Sequence, residues 1–121
     1  MDSSLGSVVL MLFSVVLIAV VCTSTTRMAA QGKLDRHGSA GIRTRHTQAS
    51  DVSWQKGHTA ALPLIYTTGW VAAITIPIAI ATQLTLGEPW GILTGLAGML
   101  CEVAVLFYAM QVANKAARLA V

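Results

Sequence analysis

The chain has 121 residues, of which 55% are hydrophobic and only 11% charged, with a formal net charge of +3. A soluble domain carries about 25% charged residues, so this chain lacks the polar side chains needed to coat a water-facing surface. That excludes a free-standing soluble domain and leaves the bilayer as the solvent. The small positive balance sits in one segment and the tail, which is a pattern of membrane topology and not of nucleic-acid binding.

Residues 3–26 carry no charge, and Leu5 to Cys22 is apolar apart from Gly6, Ser7 and Ser14. A helix needs roughly 20 such residues to cross a hydrocarbon core of about 30 Å, so residues 1–26 are predicted to hold a first transmembrane helix. A cleaved signal peptide would want a positive start, a shorter apolar run and a small-x-small site. Here only Asp2 precedes the run and Arg27 follows it, while Val21 is too bulky for the position before a lipoprotein cysteine. The helix is therefore expected to be retained.

Residues 27–58 form a basic segment with Arg27, Lys33, Arg36, Arg43, Arg45 and Lys56 against Asp35 and Asp51. Its first part, AAQGKLDRHGSAG, reads as a flexible connector rich in glycine and small residues. From Ser50 the pattern changes. Ser50 suits a helix N-cap and Asp51 its first turn, and Trp54 fits the membrane interface on a short helix running into the next span. His37, His46 and His58 lack the spacing of a zinc site and read as solvated or interfacial.

Residues 59–87 are again uncharged and predict a second transmembrane helix, with Pro63 near its start and Pro77 deep inside, where a kink is expected. A short turn at Gly87 to Trp90 leads to a third span, 89–114, whose one charge is Glu102. The stretch 59–121 thus holds the second and third helices and a tail with Lys115 and Arg118. All eight basic residues fall on one side of the three spans. The positive-inside bias then predicts an all-α, multi-pass protein with its N-terminus outside and its basic loop and C-terminus in the cytoplasm.

The third helix carries the sharpest intramembrane pattern. Gly91, Gly95, Gly98 and Glu102 follow at spacings of four, three and four, continuing to Val105 and Ala109, which places them on one face. Such a face lets a neighbouring backbone approach closely, so these four residues are candidates for helix packing or for an interface with another subunit. A carboxylate at that depth is costly unless protonated or hydrogen-bonded. Ser14 and Thr75 lie at comparable depth as partners, and the alternatives are a neighbouring subunit or a proton or ion pathway. Cys22 and Cys101 differ in depth, so no disulfide is expected. Tyr66, Trp70, Trp90 and Tyr108 suit interfacial or packing roles.

The order Gly41-Ile42-Arg43-Thr44-Arg45, then Thr47, Ser50-Asp51, Trp54 and Gly57-His58, followed at once by a hydrophobic helix, resembles the cytoplasmic loop of SdpI-type membrane proteins. It is most similar to short actinobacterial members. The close match covers about 18 residues, and the three-helix layout extends it over most of the chain. The resemblance implies a bacterial plasma-membrane protein. The family's namesake confers immunity to a secreted toxin and signals by holding a repressor at the membrane. This chain is much shorter and lacks that protein's additional upstream helices, and no motif residue brings a catalytic role with it.

No phosphate loop, nucleophile elbow or HExxH pattern is present in the sequence, and no cofactor is expected. The leading expectation is a non-enzymatic accessory or regulatory subunit of a larger membrane complex, respiratory or envelope, acting through other transmembrane subunits, self-association or membrane lipids. The alternatives are an SdpI-like immunity or signalling protein, and a small oligomeric transporter using Glu102. In each, Gly41, Arg43, Thr44, Arg45, Ser50, Asp51, Trp54 and His58 are the loop residues assigned to lipid or partner contact. Arg43 and Arg45 can bind lipid phosphates, pair with Asp51 or a partner's carboxylates, or simply fix topology.

Overall fold

The structure is a computed structural model that describes residues 3–120, so Asp2 lies outside the described residues. Three long helices account for most of the chain: α1, Ser3–Ala30; α2, Asp51–Leu86; and α3, Trp90–Leu119. A single 3-10 turn, Thr47–Ala49, interrupts the segment between α1 and α2, and no strand occurs among the described residues. Each helix is long and apolar enough to cross a membrane. Backbone groups in hydrocarbon have no water to bond, which is why uncharged runs of this length close their own hydrogen bonds as helices.

The buried positions explain how the helices pair. On α2 they fall at Ala61, Ile65, Thr68, Ala72, Thr75 and Ala79, in alternating steps of four and three. On α3 the same rhythm runs through Gly91, Gly95, Gly98 and Glu102, and the buried face continues seven residues on at Ala109 and then in steps of four at Ala113 and Ala117. On α1 it takes in Val8, Leu12, Val15 and Ala19. A seven-residue repeat keeps one seam facing its neighbour along helices that cross at a shallow angle. The seam residues are mostly small, so backbones approach closely and dispersion contacts accumulate where lipid offers no hydrophobic drive.

Larger side chains point outward. Leu10, Phe13, Trp70, Leu84 and Phe107 are all exposed, as expected of faces whose solvent is acyl chain and whose core is only three helices thick.

The helices alternate in direction. Gly91 near the start of α3 meets Val8 near the start of α1, while Gly57 near the start of α2 meets Ala113 and Ala117 near the end of α3. One end of the bundle therefore holds the tight connection Gly87 to Pro89. The other gathers the end of α1, residues 31–50, the start of α2 and the end of α3, and with them all eight Lys and Arg residues.

Two boundaries differ from those read in the sequence. α1 continues past residue 26 to Ala30, with Thr26 and Ala29 buried. α2 is one uninterrupted helix from Asp51 through Pro63 and Pro77 to Leu86, so residues 51–58, which the bounds drawn from sequence place in the loop, are its first turns. Its 36 residues span about 54 Å at 1.5 Å per residue, well beyond a hydrocarbon core of about 30 Å. The first turns of α2 consequently rise out of the core and become the post on which the loop is built.

Candidate functional site: a hydrogen-bonded cap and a buried acid

Residues 31–50 form a cap folded over the basic end of the bundle. Its foundation is the N-terminus of α2, where the Ser50 hydroxyl accepts the Ser53 backbone N–H at 3.0 Å and caps the helix, as the sequence predicted. Positions 53, 54, 57 and 58 are all buried. These spacings put them on one side of α2, toward α3 and the cap. Ser53 donates to the Ala117 carbonyl at 3.2 Å. At Gly57 a β-carbon would stand 2.9 Å from the Ala113 carbonyl oxygen and 3.0 Å from the Thr47 methyl, so glycine is what allows α2 and α3 to meet there.

Trp54 and His58 hold the cap down. The Trp54 indole N–H donates to the Leu34 carbonyl at 2.8 Å. His58 Nε2 accepts the Ile42 backbone N–H at 2.8 Å, and its Nδ1 lies 2.7 Å from the Trp54 carbonyl. A backbone N–H can only donate and a carbonyl can only accept, so the ring is neutral with its proton on Nδ1. The two rings lie against each other with centroids 4.2 Å apart. Gly41 crosses over them at φ +105°, and a β-carbon there would sit 2.8 Å from the indole. Both the backbone angle and the space demand glycine.

Thr47 is the buried hub of the remaining turn. Its hydroxyl accepts the Thr44 backbone N–H at 2.9 Å and donates to the Ile42 carbonyl at 2.8 Å. The Thr44 hydroxyl then donates to Asn114 Oδ1 of α3 at 2.7 Å, tying the cap to a helix 70 residues away. Arg36 closes the outer edge through an ion pair with Asp51 at 3.0 Å and a hydrogen bond to the Gln48 carbonyl at 2.8 Å.

Several expectations need correction here. The segment 31–41 is no free connector, because Leu34 and Arg36 are bonded to α2 and to the turn before it. Trp54 is 2% exposed and His58 wholly buried, so neither is an interfacial or solvated side chain. The charge partner of Asp51 is Arg36, not Arg43 or Arg45. Arg43 and Arg45 are exposed, and one guanidinium nitrogen of Arg43 donates to the Arg36 carbonyl at 3.2 Å. Of the eight loop residues singled out, Gly41, Thr44, Ser50, Asp51, Trp54 and His58 therefore build the cap, while Arg43 and Arg45 project from it. Ser53 and Asn114 are cap residues that sequence reasoning missed. Gly57 had been seen only as part of a motif.

The intramembrane set is brought together inside the chain. A β-carbon on Gly91 would meet Gln83 and Val8, one on Gly95 would meet Met11, and one on Gly98 would overlap Thr75. The glycine face is thus spent on α1 and α2. Glu102 is fully buried, and neither of its carboxylate oxygens has a hydrogen-bond partner among the described residues. Ser14 does not serve it, since its hydroxyl turns back to the Leu10 carbonyl of its own helix, and Thr75 packs instead against Gly98. Cys22 and Cys101 are free thiols.

The cap, α2 and most of α3 coincide with the region matched by a family model. The model of the SdpI/YfhL protein family matches residues 33–108. No curated protein and no solved structure matches the chain. With well over half of its length covered, including nearly all of the cap and the helix that supports it, this multi-pass membrane chain belongs to the SdpI/YfhL protein family.

Proposed function

We propose that the chain is a non-enzymatic plasma-membrane protein that works by contact, and that its cap is a recognition platform on the cytoplasmic face. The observation that carries this reading is the division of labour within the cap. Its backbone and hydroxyl groups are consumed by bonds to α2 and α3, leaving a preformed surface from which Arg43 and Arg45 project. A preformed surface loses little ordering entropy when it binds. Guanidinium groups suit carboxylates and phosphates, in bidentate geometry where both planes align. The gathering of every Lys and Arg at that end supports the cytoplasmic placement.

In this reading the protein resembles the signalling or immunity members of its family, with the cap offered to a soluble acidic partner and anionic lipid as an auxiliary contact, each cation contributing about 1 kcal/mol at such a surface. The accessory-subunit reading keeps the broad apolar outer faces as its support. It loses the glycine seam, which is buried within the chain.

The test is gentle extraction of the tagged chain from its own membrane, with mass spectrometry of what accompanies it, for the wild type and for a chain carrying Arg43→Ala and Arg45→Ala. Loss of a soluble protein from the double variant supports the platform. Stoichiometric recovery of a large membrane complex that ignores both arginines refutes it in favour of the accessory subunit.

A further inference from the structure

Of the side chains that fasten the cap to α2 and α3, His58 is the one whose charge changes in the ordinary cellular range of pH. It lies in the turns of α2 that rise out of the hydrocarbon core and is wholly buried. Both ring nitrogens are committed: Nε2 accepts the Ile42 backbone N–H at 2.8 Å, and Nδ1 donates to the Trp54 carbonyl at 2.7 Å. Only the neutral ring can make this pair of bonds. A proton added at Nε2 would set one donor 2.8 Å from another, and a backbone N–H cannot reverse its role. Charge on the ring and closure of this bond therefore exclude each other.

The surroundings offer the charged ring no compensation. Its contacts are Gly41 and Ile42 from the cap and Trp54 from its own helix, none of them ionisable. The ionisable groups on the elements around it are Cys22 and Arg27 on α1, Arg43 beside Ile42, Lys56 on α2, and Lys115 and Arg118 on α3, all exposed except the half-buried Cys22. The carboxylates of this end are spent elsewhere, Asp35 on the His37 backbone N–H and Asp51 on Arg36. On the α1 side Gly41 and Ile42 line a cavity of about 350 Å³, so the segment has little backing there.

We propose that His58 is an acid-sensitive latch on the cap, whose protonation releases the backbone N–H of Ile42 and with it the segment 34–42. Thr47 still holds the Ile42 carbonyl, and Thr44 still holds Asn114, so opening is local to the side nearer α1. It reaches Arg43, whose bond to the Arg36 carbonyl lies in the released stretch. In the open cap the ring titrates as an ordinary histidine near about pH 6.5, whereas burial in the closed cap disfavours its charged form. The open form thus binds more protons. Closure keeps its full strength above about pH 6.5 and weakens as pH falls, the opening equilibrium growing by up to about tenfold per unit. The latch stands on the cap's own hydrogen bonds; only its use in regulating recognition rests on the platform reading above.

The test is amide exchange by nuclear magnetic resonance on the full chain in phosphatidylcholine bicelles, from about pH 7.5 to about pH 5. Protection factors correct for the direct effect of pH on exchange and need no partner, so the latch is read apart from the platform. The expected result is an Ile42 protection that falls by about tenfold or more below about pH 6.5 while that of Thr44, bonded to the Thr47 hydroxyl, holds. The ring nitrogen shifts of His58 should change over the same interval from the Nδ1–H tautomer to the charged ring. His58→Gln, whose side-chain carbonyl can accept the same N–H without titrating, should lose the fall; His37→Gln and His46→Gln should keep it. Constant Ile42 protection down to about pH 5, a ring that becomes charged while the Ile42 amide stays protected, or an equal fall in a folded His58→Gln chain would each overturn the proposal. The first two are read on the wild type and need no variant to fold.

Discussion

The cap and the middle of the bundle bury polar atoms under opposite rules. In the cap, the side chains that hold it leave water toward partners: Trp54 to Leu34, His58 to Ile42 and Trp54, Thr47 to Ile42 and Thr44, Thr44 to Asn114. In the bundle the α3 side of the seam is glycine and alanine apart from Glu102, whose carboxylate has no hydrogen-bond partner among the described residues. The cap lies where water and headgroups would compete for its hydrogen bonds, so it keeps a single shape only by making all of them at once. Helix backbones in hydrocarbon are already satisfied, so shape there is set by how closely they can approach. One region is specified by bonding and the other by the absence of side chains.

Substitutions can break that contrast. The largest effect is expected from Trp54→Ala, which removes a 2%-exposed indole, its bond to Leu34 and the floor under Gly41; truncating a buried tryptophan costs about 3–5 kcal/mol. Thermal unfolding in mild detergent should show that loss, and amide exchange should rise across residues 34–47. If exchange there stays slow, the cap is held by something other than its hydrogen bonds to α2.

Next comes Gly98→Leu, the same scale of insult delivered to the bundle. A side chain there overlaps Thr75, and overpacking costs about 1–3 kcal/mol. The cap should keep its protection while the distance between spin labels on α2 and α3 widens at mid-membrane. Gly41→Ala combines a left-handed φ with a contact of 2.8 Å to the indole, and strain of this kind is worth about 1–3 kcal/mol. It should loosen the cap without altering the bundle distance, the mirror image of Gly98→Leu.

Ser50→Ala removes a helix cap and should cost about 1 kcal/mol, measured as a small fall in melting temperature with frayed exchange at residues 51–53. Smallest of all, Arg43→Ala with Arg45→Ala should change stability by no more than about 0.5 kcal/mol. A large destabilisation would mean that these side chains brace the cap and do not face a partner.

Much of the bundle was legible in the sequence because the bilayer imposes length and composition on each span. The N-cap at Ser50 was legible for the same local reason, since a serine before an acidic first turn has few other uses. The glycine spacing announced a close approach but not with whom, because GxxxG periodicity is identical for a helix of the same chain and a helix of another. What the sequence hid was tertiary. A histidine and a tryptophan four residues apart look amphipathic on paper, and only the return of residues 34–42 over them turns both into anchors. Asn114 gave no sign of its role, being a single polar residue at the end of an apolar span until Thr44 reaches it. Glu102 declared its depth but not its isolation, since the partners suggested by depth alone, Ser14 and Thr75, point elsewhere.

The bond from Thr44 to Asn114, with that from Ser53 to Ala117, has a bearing on biogenesis. The cap is synthesised before α3, yet one of its fastenings, and one of those of its α2 foundation, come from the last turns of that helix. A chain whose third helix has not yet inserted lacks these bonds to α3, and its loop is expected to be more open to protease than in the full chain. Truncation before residue 109 should leave residues 31–50 cleavable in membranes where the full chain resists. Equal resistance would show that α2 alone is enough to close the cap.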